Sequence, residues 1–121
     1  MKKTILLLIV IIQLSCKKQQ NNTVEVATKN QSPIELGKEI FEGKGNCVAC
    51  HLVNQNVIGP SIKEIAAIYK LKNASLTDFL IHDAKPIVDP DQYEVMKTNF
   101  TITKAMSEQE LKAIEAYIYS K

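Results

Sequence analysis

The sequence predicts a small all-α domain. Four segments begin with a serine that is followed three residues later by an acidic residue, which is the signature of a capped helix start. In each segment the apolar residues recur at intervals of three and four, as they do along one face of an α-helix. Alternation of apolar and polar side chains, which is typical of strands, occurs only weakly, over residues 23–27. These observations favour four or five short helices and no sheet.

The first helix is expected to begin at Ser32, with Pro33 at its first position, and to end at Gly43. Its apolar face is expected to consist of Leu36, Ile40 and Phe41. Gly37 within it lowers the helix propensity by up to ~1 kcal/mol relative to alanine. A close crossing with another helix would justify that cost.

Three further helices are expected to begin at Ser61, Ser75 and Ser107. The helix that begins at Ser75 must end before Pro86, and a short helix or turn is expected after Pro90. The predicted buried faces are Ile62, Ile65, Ala66 and Tyr69 in the second helix, Leu76, Phe79 and Leu80 in the third, and Leu111, Ile114, Tyr117 and Ile118 in the last.

The composition fits one small domain that needs help to fold. The chain has 121 residues, of which 45% are apolar and 23% are charged, so most of it is not disordered. Its 15 lysines nearly balance 13 acidic residues, and it has no arginine, which argues against a nucleic-acid partner. Because the helices are each too short to be stable alone, we expect a metal, disulfide or cofactor to hold them together.

The first residues are expected to be an export signal. Lys2 and Lys3 precede an apolar run over residues 4–12, about half of the ~20 residues that cross a bilayer. The run ends before Cys16 and resembles a bacterial lipoprotein signal, in which that cysteine becomes the lipidated first residue. Gln13 departs from the aliphatic residue usual at its position. The alternatives are ordinary signal cleavage nearby and a permanent transmembrane helix.

This interpretation divides the chain into three parts. Residues 1–15 are the cleaved signal, and residues 16–32 form a polar, aperiodic and flexible tether. Residues 33–121 form the folded domain, which has 10 lysines and 12 acidic residues and hence a net charge of −2.

The segment Cys47-Val48-Ala49-Cys50-His51 is the strongest chemical signal in the chain. C-x-x-C-H is the attachment site of a c-type haem. Two thiols separated by one turn add to the two vinyl groups of the porphyrin, and the adjacent histidine ligates the iron. The export signal agrees, because bacteria attach haem covalently outside the cytoplasm. The sequence therefore predicts one covalently bound haem c.

Two other interpretations of these cysteines remain open. A thioredoxin-like dithiol would place C-x-x-C at a helix start after a strand, and no such unit is visible. A zinc site would use Cys47, Cys50, His51 and His82, but the adjacent Cys50 and His51 suit a tetrahedral site poorly.

Beyond the motif, residues 34–121 resemble a class I (monohaem) c-type cytochrome. Gly37 and Phe41 resemble the glycine and the aromatic residue of the family's first helix. Gly59-Pro60 resembles the family's Gly-Pro pair, whose proline packs on the histidine side of the haem. Tyr117 resembles the aromatic residue of the family's last helix. The resemblance implies the cytochrome c fold around a covalent haem. Residues expected to form the haem pocket are Leu52, Ile62, Ile65, Leu80 and Val95.

The resemblance also implies a methionine as the second axial ligand, donated by the loop before the last helix. Met96 and Met106 are the candidates in the mature chain. Met106 directly precedes the cap Ser107, where a hydrophobic staple is expected, so we assign Met96. Either methionine alternatively fills a gap in the core. His82 is the third candidate and would give bis-histidine ligation.

The predicted function is one-electron transfer in a bacterial respiratory chain, without enzymatic activity. The expected partners are redox proteins of the cell envelope, met transiently by a monomer on the periplasmic side that is anchored through lipidated Cys16. The alternatives are a haem-based sensor, a small-ligand-binding module or a weak peroxidase with a labile sixth ligand, and a subunit of a larger reductase or oxidase. The single C-x-x-C-H excludes a multihaem enzyme.

Overall fold

The structure, a computed structural model, describes residues 31–82 and 84–121. The predicted signal, Cys16 and all but the last two residues of the predicted tether lie outside these ranges. Six α-helices form the described part: α1 (Pro33–Glu42), α2 (Ile62–Lys72), α3 (Leu76–His82), α4 (Tyr93–Lys97), α5 (Phe100–Thr103) and α6 (Glu108–Tyr119). Single 3₁₀ turns cover Cys47–Ala49 and Pro90–Gln92.

The all-α prediction is confirmed. Within the described ranges the β-type pairing is one isolated antiparallel bridge between His51 and Asn56. Six helices are described where about four or five were expected, and the four-residue α5 was not expected because it begins without a side-chain cap and so carries no sequence signature. No helix in the described ranges is long and apolar enough to span a membrane.

Serine caps set the starts of the four longer helices, as predicted. The hydroxyl oxygens of Ser32, Ser61, Ser75 and Ser107 each accept a hydrogen bond from the amide three residues ahead, at 3.1–3.3 Å. In α1 and α6 the glutamate three residues ahead also accepts from the serine amide, which completes a capping box. These local bonds explain why the helix starts could be predicted from the sequence.

The crossing of α1 over α6 is the tightest packing in the described fold. A Cβ added to Gly37 would lie 1.9 Å from the carbonyl oxygen of Ala113, so only glycine lets the two backbones approach this closely. Beside the crossing, the rings of Phe41 and Tyr117 lie 5.3 Å apart between centroids. Lys44 and Glu110 form an ion pair at the end of the same contact. The predicted close crossing is therefore present.

A second contact surface holds the short helices α4 and α5 against α3. The ring of Phe79 lies 5.4 Å from Phe100 and 6.2 Å from Tyr93 between centroids, in tilted and edge-on arrangements. The hydroxyl of the fully buried Thr103 donates to the carbonyl oxygen of Leu80 at 2.8 Å. These contacts place the chain between residues 93 and 103 along one wall of a cleft.

Candidate haem site

A deep cleft lies between the helices and the loop that carries the cysteines. Its empty volume is about 1130 Å³ when the open solvent at its mouth is included. Most of the side chains that line it are apolar, among them Phe41, Ile65, Leu80, Ile114 and Ile118. A largely apolar lining fits a hydrophobic macrocycle better than a small polar substrate.

The expectation for the pocket walls is correct in part. Ile65, Leu80 and Val95 line the cleft, whereas Leu52 and Ile62 do not. Ile62 is only 1% exposed and belongs to the core cluster, and Leu52 is partly exposed on the surface. Helical periodicity identifies buried faces but does not separate the walls of a cleft from ordinary core.

Cys47 begins a 3₁₀ turn, Cys50 directly follows it, and both line the cleft. The turn begins after Asn46, which adopts a left-handed backbone conformation with φ 51° that asparagine tolerates better than most residues. The Cys50 amide donates to the carbonyl oxygen of Cys47 at 3.1 Å and closes the turn. Two sulfurs one turn apart at the edge of an apolar cleft suit attachment to the two vinyl groups of a haem.

His51 is held in one orientation by its neighbours. Its Nδ1 lies 2.8 Å from the carbonyl oxygen of Pro60 and must be the donor, since a carbonyl only accepts. Nε2 then carries the lone pair and remains for a metal. A Cβ added to Gly59 would lie 2.6 Å from Cε1 of the ring, so the Gly59 backbone packs directly against the imidazole. Pro60 itself also lines the cleft.

The three candidates for the second axial ligand are placed differently. Met96 lies in α4, is partly buried and lines the cleft together with His51. Met106 packs against the core cluster and does not line the cleft. His82 is the last residue of α3, and its side chain lies outside the described part of the structure. The fold thus brings Met96, and not Met106, to the cleft of the cysteines.

The geometry gives no support to the dithiol interpretation. A reactive C-x-x-C cysteine has a lowered pKa, whereas burial raises the pKa of the Cys47 thiol to about 11. The described ranges also have no strand in front of the motif.

The zinc interpretation gains no support from the described side chains either. No group of three or more histidine, cysteine, aspartate or glutamate residues among them could hold a metal ion. Cys47, Cys50 and His51 are therefore not grouped as the ligands of a tetrahedral site would be.

Comparison with known proteins agrees with this site. Residues 34–121 match the family model described as Cytochrome c. The chain is 42% identical over 52 residues to cytochrome c-552 of Nitrosomonas europaea, a stretch that covers 43% of this chain and 46% of that protein. It is 43% identical over 35 residues to cytochrome c-551 of Azotobacter vinelandii, which covers 29% of this chain and 42% of that protein. Each match spans less than half of the relative's length.

Proposed function

The chain belongs to the cytochrome c family, and from this premise we propose that it carries single electrons between redox proteins of the bacterial cell envelope. Members of the family hold haem c covalently, and Cys47, Cys50 and His51 fit the attachment motif C-x-x-C-H. The observation that carries the proposal is the arrangement of the cleft, where Met96 lines the same apolar space as these three residues.

Each of these residues has a separate task in the proposed site. Cys47 and Cys50 would form the thioether links to the haem, and His51, through Nε2, and Met96 would ligate its iron. When bound, the haem supplies a ferric/ferrous couple. A methionine thioether favours the ferrous state and raises the reduction potential, and the apolar lining has the same effect because it disfavours the extra positive charge of ferric iron.

The hydrogen bond from His51 to Pro60 serves electron transfer by fixing the ligand. It holds the imidazole at 2.8 Å from a backbone oxygen, so the ring does not reorient between oxidation states. Pro60 is proposed to pack on the haem from the His51 side. With His51 and Met96 both ligating the iron, the site would leave no position for small molecules and would suit a carrier better than an enzyme.

The surface around the motif suits weak and brief docking. Residues 45–62 contain no lysine, aspartate or glutamate. Val48, Val57 and Ile58 in this stretch are 41–54% exposed, and Ile58 also lines the cleft. An uncharged stretch with exposed apolar side chains favours transient contact with an equally uncharged patch, because burying an unpaired charge against it would be costly.

Absorption spectroscopy of the ferric protein tests the proposed ligands. We expect a methionine-to-iron charge-transfer band that disappears in Met96→Ala and persists in Met106→Ala, the matched control outside the cleft. A pyridine haemochrome assay and the intact mass should give one haem per chain, linked through two thioethers. High-spin iron that readily binds carbon monoxide in the unmodified protein would instead support the sensor or ligand-binding alternative.

We also propose that the domain is tethered to a membrane on the periplasmic side through acylated Cys16. The supporting pattern is the short apolar run that ends at this cysteine, followed by polar residues up to the domain. A tether raises the effective concentration of the domain near membrane-bound donors and acceptors. Acylation should appear in the intact mass, and Cys16→Ser should release the protein from the membrane fraction. A membrane-bound Cys16→Ser variant would contradict the anchor.

A further inference from the structure

Asn99 connects the two segments that carry the proposed haem ligands. Its backbone amide donates to the carbonyl oxygen of Met96 at 3.0 Å. Its side-chain Nδ2 donates to the carbonyl oxygen of Gly45 at 3.1 Å, across 54 positions of the chain. Gly45 is buried and lies two residues before Cys47. One partly buried residue therefore bonds to the backbone on both sides of the cleft.

The carbonyl oxygen of Gly45 depends on the Asn99 side chain for a hydrogen-bond donor. It also receives a long contact from Sγ of Cys47, at 3.4 Å. Thioether formation at Cys47 replaces the S–H hydrogen with a bond to carbon, so that donor disappears when the haem is attached. Of the two side-chain donors that the structure assigns to this carbonyl, the Asn99 amide then remains. A buried carbonyl oxygen without a hydrogen-bond partner is unfavourable, so loss of the bond from Asn99 would destabilise this part of the fold.

The Met96 segment needs such a connection because it has little stability of its own. Helices α4 and α5 have five and four residues, which is far below the length at which a helix is stable in water. Met96 lies in the first of them, and the neighbouring Val95 is 48% exposed. Short, partly exposed segments of this kind open locally at a lower free energy than the whole fold.

We infer that Asn99 is a positioning residue, whose amide ties the Met96 segment to the Gly45–Cys47 turn and so keeps Met96 at the iron. The inference rests on the proposed ligation by Met96. Loss of one such hydrogen bond is expected to raise the fraction of molecules with Met96 detached by about five- to tenfold.

Titration of the ferric holoprotein with imidazole measures this fraction. Imidazole binds the iron only when Met96 has left, so its apparent affinity rises in proportion to the open fraction. We expect about five- to tenfold tighter imidazole binding in Asn99→Ala. Asn99→Asp keeps the size of the side chain but removes the donor, so we expect the same direction of change. The control is Thr101→Val, an exposed position in α5 outside the cleft, where we expect the wild-type affinity.

A merely structural role for Asn99 gives a different pattern. It would lower the denaturant midpoint of the far-ultraviolet circular dichroism without changing imidazole affinity, and that result would overturn the inference. If Asn99→Ala does not retain haem, Asn99→Asp provides the comparison. Failure of Met96 ligation is seen separately, because wild-type protein would then bind imidazole as tightly as Met96→Ala and would lack the charge-transfer band.

Discussion

Replacement of Gly59 by alanine would place a methyl group against the imidazole of His51. The added Cβ would lie 2.6 Å from Cε1 and 2.9 Å from Nδ1, whereas ordinary contacts begin at 3.4 Å. The ring would have to retreat by about 0.8 Å, the difference between 3.4 and 2.6 Å. Because Nδ1 now lies 2.8 Å from the Pro60 oxygen, a movement of this size weakens or breaks that bond.

The expected loss of stability follows from two contributions. Overpacking of a well-packed site costs about 1–3 kcal/mol, and loss of one hydrogen bond costs about 1 kcal/mol more. Gly59→Ala should therefore lower the free energy of unfolding of the holoprotein by about 2–4 kcal/mol. If the loop moves instead of the ring, the hydrogen bond that is weakened is the one from the Gly59 amide to the carbonyl oxygen of Cys50, at 2.9 Å, so a similar loss is expected.

Guanidinium denaturation, followed in parallel by circular dichroism and by the haem absorption, measures this loss. Val57→Ala is the matched control, since this exposed side chain lies two residues away in the same loop and should change stability by less than about 0.5 kcal/mol. Stability of Gly59→Ala equal to that of the control, with an unchanged haem spectrum, would refute the argument that the imidazole is held against a fixed backbone.

Three further outcomes are expected. Gly37→Ala should destabilise the fold by about 1–3 kcal/mol in thermal unfolding, because its Cβ meets the backbone of α6, and unchanged stability would contradict the close crossing. The Lys44 ammonium and the Ser107 amide hold the pKa of Glu110 below its ordinary value of 4.5, so this stabilisation is present above that value and is lost as the pH falls through the lowered pKa. Glu110→Gln should therefore cost about 0.5 kcal/mol at neutral pH and nothing in strong acid, and a cost that persists in acid would contradict the ionic origin. The rate constant of electron self-exchange, measured by NMR line broadening, should change less than about twofold between ~0.01 and ~0.1 M salt. A steep dependence on salt would contradict docking through the uncharged residues 45–62.

Features fixed by neighbouring residues could be predicted from the sequence. The serine caps of α1, α2, α3 and α6 are local, and each needs only a residue three positions away. The C-x-x-C-H motif is equally local, since its chemistry depends on spacing within one turn. The expected close helix crossing at Gly37 is confirmed, since a Cβ added there would lie 2.8 Å from Cβ of Tyr117.

Features fixed by distant residues could not be predicted in this way. Asn99 occupies the N-cap position of α5 but makes no capping bond, because its side chain reaches Gly45 instead. The start of α5 is set by the packing of Phe100 on Phe79, which are 21 positions apart and give no local signal. For the contact between Asn99 and Gly45, the sequence shows only that a polar residue lies three positions after Met96. No sequence pattern identifies Gly45 as its partner across the cleft.

Thr103 shows the same dependence on distant partners and allows a direct test. It is completely buried, and its hydroxyl donates to the Leu80 oxygen, one of the last four carbonyls of α3, which lack partners within their own helix. Thr103→Val keeps the shape but removes the donor, so we expect a loss of about 1–3 kcal/mol from an unsatisfied buried carbonyl. Thr103→Ser keeps the donor and removes one methyl group, which should cost only about 1 kcal/mol. Chemical denaturation gives the order of stability of the two variants. A serine variant less stable than the valine variant would mean that packing, rather than this bond, joins α5 to α3.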